Sequence, residues 1–370
     1  MALEKLSAKT FNFYAPRFRV KIEDEKLPPN IAMAIIDVSV DEKLDEGASF
    51  TMTIYDEFDM KSQTFKWLDH KLFNVGNKVA IEMGYENDLH TMVMGNITRI
   101  EPNFSVGETP TITIGGQDLS YDYLKRATPE RTFVDKSYSD IVETIAKEAG
   151  MEFEVDTTGK YNRHLRKDSQ TTYYAFIKDL AEKSGYIFYV DRKTIYFVKP
   201  KDDRKEVIKL TLGKDIINFR PLINTARQVT EVEVRGHNPR DPGTPLIGIA
   251  KAGEERNKKT GQETGSQITQ KRHGSVKKVI TNVIVNSVEH AKLIALAELN
   301  KASDTFITGE GECVGIPAIR PGVTIELEKM GTRFGGKYYV KGVKHTIGNN
   351  GYRTNFSVTK NSTSKKKGAK

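Results

Sequence analysis

Apolar positions between Thr132 and Val198 follow the same pattern twice. Each copy has apolar residues at helical spacing and then a glycine: Ile141, Ile145, Ala146 and Gly150 in the first, and Phe176, Leu180, Ala181 and Gly185 in the second. An alternating strand pattern follows each glycine, over Met151, Phe153 and Val155 and over Tyr186, Phe188 and Val190. Ser137 is the predicted N-cap of the first helix, and Thr171 or Thr172 that of the second. Because a helix–strand unit cannot bury its apolar face alone, the two copies predict one α+β module, assigned to residues 120–206.

The region before this module, residues 1–119, alternates apolar and polar positions with almost no helical pattern. The clearest alternating triplets are Phe18, Val20 and Ile22, then Phe50, Met52 and Ile54, then Val79, Ile81 and Met83. Several such strands with turn signals between them are typical of an antiparallel barrel or sandwich. We therefore expect a first tube-like β-barrel over residues 1–119.

Strand patterning resumes after the module and predicts a second tube-like β-barrel over residues 207–361. Its last strands are separated by a turn that contains Asn350 and Gly351, as in a hairpin. Within it, residues 238–274 are poor in aromatic side chains and predict a flexible insertion, open to proteases around Arg256, Lys258 and Lys259. Residues 362–370 predict a disordered basic tail. The fold class expected is mainly β with an α+β insertion: two tube-like antiparallel β-barrels plus a small helix–strand module.

The strongest helical pattern in the chain covers Ser287 to Ala302, after a β-branched run from Val279 to Val285 that predicts a strand buried on both faces. One face of the helix carries Val288, Ala291, Ala295, Leu299 and Ala302. Leu293, Leu296 and Ala297 lie elsewhere on its circumference, so the helix is apolar on more than one face. We predict that these three residues, with Lys258 and Lys259 of the insertion, form a contact with a subunit or another component. The alternative is that the α+β module or the insertion of the same chain covers them.

Composition excludes several classes of protein. No apolar run is long enough to cross a bilayer, and Met1 to Thr10 lacks an apolar signal core, so we expect neither a membrane span nor Sec-type export. The net charge is +8, with much of the excess in residues 251–278 and in the Lys365 to Lys367 tail. A net positive charge is typical of proteins that bind nucleic acid or anionic surfaces. No aromatic residues interleave with these basic clusters, however, which favours the interpretation that the lysines and arginines are solvated surface residues.

The residue types that carry catalysis do not converge in the sequence. Cys313 is the only cysteine, which excludes a disulfide framework within the chain, and the seven histidines show no spacing typical of metal ligands. Cys313 and His345 provide the residue types of a nucleophile and base, but nothing around Cys313 predicts an activating turn or helix start. We expect packed roles for both, no enzyme activity, no metal and no cofactor.

Motifs in the second half of the chain resemble those of late control protein D of contractile phages. That family also includes the hub portion of type VI secretion spike proteins and the hubs of contractile injection systems. The residues that carry the resemblance are Ile319-Arg320-Pro321-Gly322-Val323, Phe334-Gly335-Gly336-Lys337-Tyr338-Tyr339-Val340, Val343-Lys344-His345, Gly351-Tyr352-Arg353-Thr354-Asn355-Phe356 and, in the module, Phe176-Ile177 and Gly185-Tyr186-Ile187-Phe188. The likeness is weakest over residues 238–274. The chain ends soon after the second β-region, so a spike would be a separate polypeptide.

The resemblance implies a structural baseplate hub that adapts the six-fold tail tube to a three-fold spike. The implied partners are two further copies in a homotrimer, the tail tube protein, the spike protein and other baseplate components, with no membrane. DNA or cargo would only pass through a central channel, and the protein would reside in a virion tail baseplate or a contractile injection particle. Two alternatives stay open. One is a peptidoglycan- or glycan-binding protein, with Tyr161, Tyr173 and Tyr174 as candidate groove aromatics; the other is a basic nucleic-acid-binding protein.

Overall fold

The structure is a computed structural model. It describes residues 15–44, 46–104, 107–160, 164–199, 205–238, 241–256, 262–285 and 287–364. Within these ranges the chain is mainly strand with a helix-containing module in the middle, and the predicted fold class is confirmed.

The first β-unit comprises residues 15–118 and contains nine strands. Its elements are β1 (Pro16–Ile22), β2 (Glu25–Lys26), α1 (Pro29–Ala34), β3 (Ile35–Lys43), β4 (Gly47–Tyr55), β5 (Phe58–Asp59), β6 (Thr64–Phe65), a 3₁₀ helix (Lys71–Phe73), β7 (Lys78–Tyr85), β8 (Asp88–Asn103) and β9 (Thr111–Asp118). The alternating triplets predicted from the sequence place Val20, Ile22, Phe50, Met52, Ile54, Val79, Ile81 and Met83 in one apolar core. The period-2 pattern therefore identified the buried face correctly.

The α+β module follows, and its two longer helices begin and end where the sequence predicts. Its elements are α2 (Ser120–Leu124), β10 (Arg131–Val134), α3 (Tyr138–Glu148), β11 (Glu152–Val155), β12 (His164–Lys167), α4 (Tyr173–Ser184), β13 (Ile187–Asp191) and β14 (Thr194–Val198). Ser137 caps α3 and Thr172 caps α4, while Gly185 ends α4 with a φ of 69° that favours glycine. Strand β14 lies between β11 and β13. Phe153, predicted to be buried, is 37% exposed because β11 is the edge strand of this sheet.

The last part of the chain contains two structures with separate cores. Its elements are β15 (Ile208–Thr211), β16 (Ile216–Ile223), β17 (Glu231–Asn238), β18 (Asp241–Lys251), β19 (Gln262–Thr264), α5 (Gly265–His273), β20 (Lys277–Ile284), α6 (Val288–Ser303), β21 (Ile307–Val314), β22 (Thr324–Glu328), α7 (Gly331–Phe334), β23 (Gly336–Gly348), β24 (Gly351–Lys360) and β25 (Ser362–Ser364). Strands β15, β16 and β21–β24 surround one core and form the second β-unit. Strands β17, β18 and β20 pair in a three-stranded sheet that packs against α6 around the other core, and we name this part the insert subdomain.

The two β-units share one sheet. Strand β3 of the first unit and β23 of the second pair antiparallel, from Lys43 with Gly342 to Val38 with Ile347, a link that the sequence does not predict. The result is a 13-stranded sheet whose main path runs β16-β21-β24-β23-β3-β4-β9-β8-β7-β1-β2. Ile347 and Tyr352 of the second unit belong to the core of the first. The two units are therefore joined by backbone hydrogen bonds as well as by packing.

The predicted flexible insertion at 238–274 is ordered over most of its length, so this prediction is wrong for the described residues. Strand β18 lies in the insert subdomain, and α5 begins at a capping box formed by Thr264 and Gln267. Buried hydroxyls hold this region: Thr264 and Ser266 are hydrogen-bonded to each other, and Ser266 donates to Glu255. Polar hydrogen bonding replaces the apolar burial that the composition lacks.

The predicted disordered tail at 362–370 is also wrong for its first residues. Strand β25 pairs with β19, from Gln262 with Ser364 to Thr264 with Ser362. Two polar segments without an apolar pattern thus pair with each other. The predicted cleavage sites Lys258 and Lys259, and Lys365 to Lys367, lie outside the described residues.

The strand predicted from Val279 to Val285 to be buried on both faces has one open face. Val279 of β20 is 43% exposed, and Ile247 and Ile249 of β18 are also exposed. The reason is that α6 covers only one side of the three-stranded sheet, where Val232, Val234 and Ala250 are buried.

Candidate assembly interface

Helix α6 carries the residues that the sequence singles out for a contact. Ser287 accepts a hydrogen bond from the backbone N–H of His290 and caps the helix at the predicted position. Ala291, Ala295 and Leu299 are buried against the insert-subdomain sheet, as predicted. Leu293, Leu296 and Ala297 are half-buried, and Leu296 also packs against the edge of the insert-subdomain core. Lys258 and Lys259, assigned to the same contact, lie outside the described residues.

The buried stripe differs from the prediction at one end. Val288, assigned to it, is 47% exposed, and Ile294, which was not assigned, is buried. The cause is the position of the sheet. A Cβ added to Gly248 of β18 would lie 2.2 Å from the backbone carbonyl carbon of Ala291, so strand and helix touch at that turn of α6. Val288 is the first residue of the helix and extends past this contact.

The second face of α6 lines a cleft of about 560 Å³ between the insert subdomain and the α+β module. Across the cleft lies the end of α4, where a Cβ added to Gly185 would sit 3.3 Å from the Cβ of Ala297. Leu293 and Leu296 line the cleft on the side of α6, and Ile187 and Phe188 line it on the side of the module. The module of the same chain therefore approaches this face closely at Ala297 and leaves both leucines partly accessible.

Charged side chains surround the apolar part of the cleft. Lys301 of α6 pairs with Glu182 of α4 at 2.7 Å and links the two walls. Arg256 and Lys341 both approach Asp304, at 2.9 and 3.4 Å. Lys178 and Lys199 add two further cations to the lining. The cleft thus combines half-buried leucines with a rim in which basic groups outnumber acidic ones.

A second contact of the module, with the β-units, is built from the buried Glu42 and the half-buried Arg320 and Asp191, and we name it the Arg320 junction. Nη2 of Arg320 donates to Glu42 of β3, to Oδ1 of Asp191 at 2.9 Å and to the carbonyl of Met92 at 3.0 Å. Nη1 donates to the carbonyl of Thr91 at 3.3 Å. One guanidinium from the second β-unit therefore binds the first β-unit and the module at once.

The carboxyl of Glu42 is held in a strained electrostatic environment at this junction. Burial raises its pKa to about 7, with the neighbouring Asp191 carboxylate acting in the same direction and the Arg320 guanidinium opposing. Its Oε2 atom is buried without a hydrogen-bond partner among the described residues. The junction fixes three parts of the chain at the cost of desolvating a carboxylate.

Exposed apolar side chains of the first β-unit collect at one end of its sheet. Six large ones are exposed in the described part of this unit: Met33, Tyr55, Phe58, Met60, Val75 and Phe104. Five of them lie at or just beyond the start of β3 and the ends of β4 and β8, where Ile35 pairs with Ile54 and Thr111 pairs with both Tyr55 and Asn103. The sixth, Val75, precedes β7, which begins opposite Asn96 in the middle of β8. The ring of Phe65 lies between those of Phe58 and Phe104 and is tilted against both, with centroids 4.8 and 5.1 Å apart. We name these six residues the end patch. No sequence pattern indicates it, because each residue alone is an ordinary loop or strand-end residue.

The histidine and cysteine considered as a nucleophile and base are both fully buried. His345 donates from Nε2 to the carbonyl of Ile319 at 3.0 Å, so Nδ1 accepts from the hydroxyls of Tyr352 and Thr354, each at 3.1 Å. Burial lowers the pKa of His345 to about 3 and raises that of the Cys313 thiol. These groups act as packed and hydrogen-bonded residues of the second β-unit.

The remaining candidate sites from the sequence are the tyrosines of a glycan groove, a metal site and a membrane span. Tyr173 and Tyr174, proposed as groove aromatics, are both buried in the core of the module, and Tyr161 lies outside the described residues. In the described part of the chain, no three His, Cys, Asp or Glu side chains converge to hold a metal ion. No helix among those same residues has the length and apolar character needed to span a membrane.

Solved structures with the same fold include tail proteins and a component of the type VI secretion system. The 43 kDa tail protein of prophage MuSo2 from Shewanella oneidensis has a TM-score of 0.70 at 14% identity, over 93% of this chain and 98% of that one. The tail protein from Neisseria meningitidis MC58 has a TM-score of 0.69 at 12% identity, over 94% and 97%. The E. coli c3393 protein, a component of the type VI secretion system, has a TM-score of 0.57 at 12% identity, over 92% and 76%.

These similarities establish that the chain has the fold found in those tail proteins. The model of the family described as the Alg8 N-terminal domain matches residues 14–349, and the chain belongs to that family. A comparison with curated proteins finds no match.

Proposed function

We propose that this protein is a structural component of a tail or baseplate, and within it the hub that joins a six-fold tail tube to a three-fold spike. The observation that supports this most is the shared fold with two phage-type tail proteins over nearly the full length of both chains. The likeness extends to the c3393 type VI secretion component, which fits a hub used by several kinds of contractile particle. Such a protein resides in the virion tail or in an injection particle.

The arrangement of the two β-units fits a trimeric ring. Each chain contributes two β-units to one sheet. Three chains would therefore present six similar units to a six-fold tube. The ring of three chains would keep the three-fold symmetry that a spike requires. DNA or cargo would pass through the centre. The role is structural, without catalysis, metal or cofactor.

The end patch supports docking of another component at the ends of the strands. Met60 is 79% exposed and Phe104 is 60% exposed, and clustered exposed apolar residues of this kind mark protein contacts. A tube stacked on the ring would meet the ends of strands rather than their faces. We therefore assign the tail tube protein to the end patch.

The ring is tested by size-exclusion chromatography with light scattering on the purified chain. We expect the mass of three chains. A monomer at every concentration, including with the co-expressed spike protein from the neighbouring reading frames, contradicts the hub.

Tube docking is tested by co-sedimentation of the trimer with tail tubes assembled from the neighbouring tube gene. Met60→Asp with Phe104→Asp should abolish co-sedimentation, because two charges would have to be desolvated in the contact. The matched control is Val134→Asp with Val288→Asp, which changes two exposed valines outside the first β-unit and should leave docking intact. Equal docking by both double variants would remove the end patch from the proposal.

Glycan binding gains no support from the described residues. Tyr173 and Tyr174 are each 6% exposed, so neither can stack on a sugar without opening the module core.

A further inference from the structure

The cleft between α4 and α6 has the chemistry of a peptide-binding groove. Leu293, Leu296 and Ala297 supply an apolar floor that the module leaves half-buried. Its volume of about 560 Å³ lies within the range of clefts that bind ligands, roughly 300–1,000 Å³. Gly159 in the lining has no side chain, which leaves room for an extended backbone there, whereas Gly185 is already covered by Ala297.

The charges of the rim indicate which charge a bound molecule should carry. Five basic residues line the cleft: Lys178, Lys199, Arg256, Lys301 and Lys341. Three acidic residues line it, and each has a cation of this chain within 3.5 Å: Glu182 with Lys301, Asp304 with Arg256 and Lys341, and Glu298 with Lys278. Among the described residues, neither Lys178 nor Lys199 has a carboxylate within salt-bridge distance. The surplus charge is therefore positive and lies beside the apolar floor.

We propose that this cleft binds an acidic, amphipathic peptide segment of a partner protein, with apolar side chains on Leu293 and Leu296 and carboxylates on Lys178 and Lys199. The carboxylates already on the rim argue against nucleic acid, since they would repel a continuous phosphate backbone, whereas separately spaced acidic side chains can avoid them. The inference goes beyond the proposed tail role and does not depend on it, because the cleft is complete within one chain.

A bound segment would bridge the two cores that face each other across the cleft. The floor belongs to the insert subdomain and the opposite wall to the α+β module. The Lys301–Glu182 pair joins them, but its side chains are 61% and 46% exposed, and an ion pair of that kind holds weakly. Occupation of the cleft should therefore fix the insert subdomain against the module.

The test is a fluorescence anisotropy titration of the full chain. The probe is a fluorescein-labelled eight-residue peptide in which Glu or Asp alternates with Leu, and the control probe has Gln and Asn in place of the acids. We expect the acidic probe to bind and the amide probe to bind at least about tenfold more weakly, with an affinity difference that shrinks at high salt. Lys178→Glu with Lys199→Glu should weaken the acidic probe by about tenfold or more.

The matched control is Lys26→Glu with Lys61→Glu, which reverses two exposed lysines of the first β-unit and should leave probe affinity unchanged. Circular dichroism verifies that each variant is folded. Equal binding of the acidic and amide probes, or equal binding by the wild type and the Lys178/Lys199 variant, overturns the proposal. So does tighter binding of a ten-nucleotide oligothymidine than of the acidic peptide.

A second copy of this chain is the other occupant to be tested. If the Lys178/Lys199 variant loses the trimer in sedimentation and the acidic probe never binds, the cleft is a contact between subunits and the proposal is wrong. Loss of ring formation or tube docking through the end patch would instead contradict the hub and leave the peptide site standing. The two proposals can therefore fail separately.

Discussion

Two contacts of the α+β module with the rest of the chain are built in opposite ways. At the Arg320 junction, Arg320 binds the buried Glu42 and the half-buried Asp191 in one charged network. At the cleft, half-buried leucines are open and the linking ion pair of Lys301 with Glu182 is exposed. Both contacts join the same module to a β-rich neighbour.

The difference shows which contact belongs to the fold and which is available for assembly. A buried ion network tolerates one geometry, because any shift leaves a charge without its partner in a desolvated site. An apolar cleft with an exposed ion pair tolerates small changes of width and gains stability when a third component covers it. The Arg320 junction therefore sets the position of the module, and the cleft can respond to a partner.

Removing the guanidinium of Arg320 should give the largest effect of the changes that separate the two contacts. Arg320→Ala leaves Glu42 buried without its cation and releases Asp191, and we expect a loss of about 3–5 kcal/mol in the free energy of unfolding. Urea unfolding followed by the fluorescence of Trp67, which is buried in the first β-unit, measures it. Lys301→Ala is the control at the cleft and should cost about 0.2–1 kcal/mol. Equal losses of unfolding free energy in Arg320→Ala and Lys301→Ala would show that the two contacts do not differ in their contribution to stability.

Titration of Glu42 should make the junction sensitive to pH. Its pKa is about 7 in the folded chain against an ordinary value of 4.5, so between these values the folded state holds a proton that the unfolded state has released. The stability that this group contributes is therefore present below pH 4.5 and falls as pH rises to about 7, by up to about 3 kcal/mol. Glu42→Gln should remove this dependence.

The measurement is the difference in unfolding free energy between the wild type and Glu42→Gln at pH 4.5, 5.5, 6.5 and 7.5. The difference is needed because the lowered pKa values of His345 and His290, about 3 and 4, act oppositely and reduce stability as pH falls below 6.5. Arg320 and Asp191, which face Glu42, are present in both proteins. A difference that stays constant over this range would show that Glu42 keeps an ordinary pKa.

The sequence predicted those features that depend on neighbours along the chain. Caps at Ser137, Thr172 and Ser287, the end of α4 at Gly185 and the core faces of the first β-unit all follow from local spacing, and the structure confirms them. The second apolar face of α6 was also visible, because helical periodicity places each side chain on the circumference.

Features that depend on distant partners were not predictable in this way. Glu42, Asp191 and Arg320 are far apart in sequence, and no local pattern brings one arginine to two carboxylates. The pairing of β3 with β23 and of β19 with β25 is equally non-local. The polar segment at 238–274 appeared unable to order itself because composition records apolar burial and not the hydrogen bonds that Ser266 makes.

Changing the two leucines of the cleft should have the smallest effect on the fold of an isolated chain. Leu293→Asp with Leu296→Asp alters side chains that are already half-exposed, and the new carboxylates lie beside Lys178, Arg256 and the other rim cations. We expect a loss below about 2 kcal/mol, since only part of the roughly 1.5–3 kcal/mol of a fully buried leucine is at stake for each. Circular dichroism and urea unfolding measure it, and binding of the acidic probe should fall by at least about tenfold.

Leu299→Asp, on the buried face of the same helix, is the control for the Leu293/Leu296 double variant. Leu299 has no exposed surface, so a carboxylate there is desolvated without a partner and the insert subdomain should unfold. Protease sensitivity of residues 231–303 reports that loss. If the Leu293/Leu296 pair unfolds the subdomain as completely as Leu299→Asp does, then the α4–α6 cleft is part of the chain's own packing in the same sense as the Arg320 junction. The cleft would then not be a surface for a partner, because the leucines would already be committed to holding the module and the insert subdomain together.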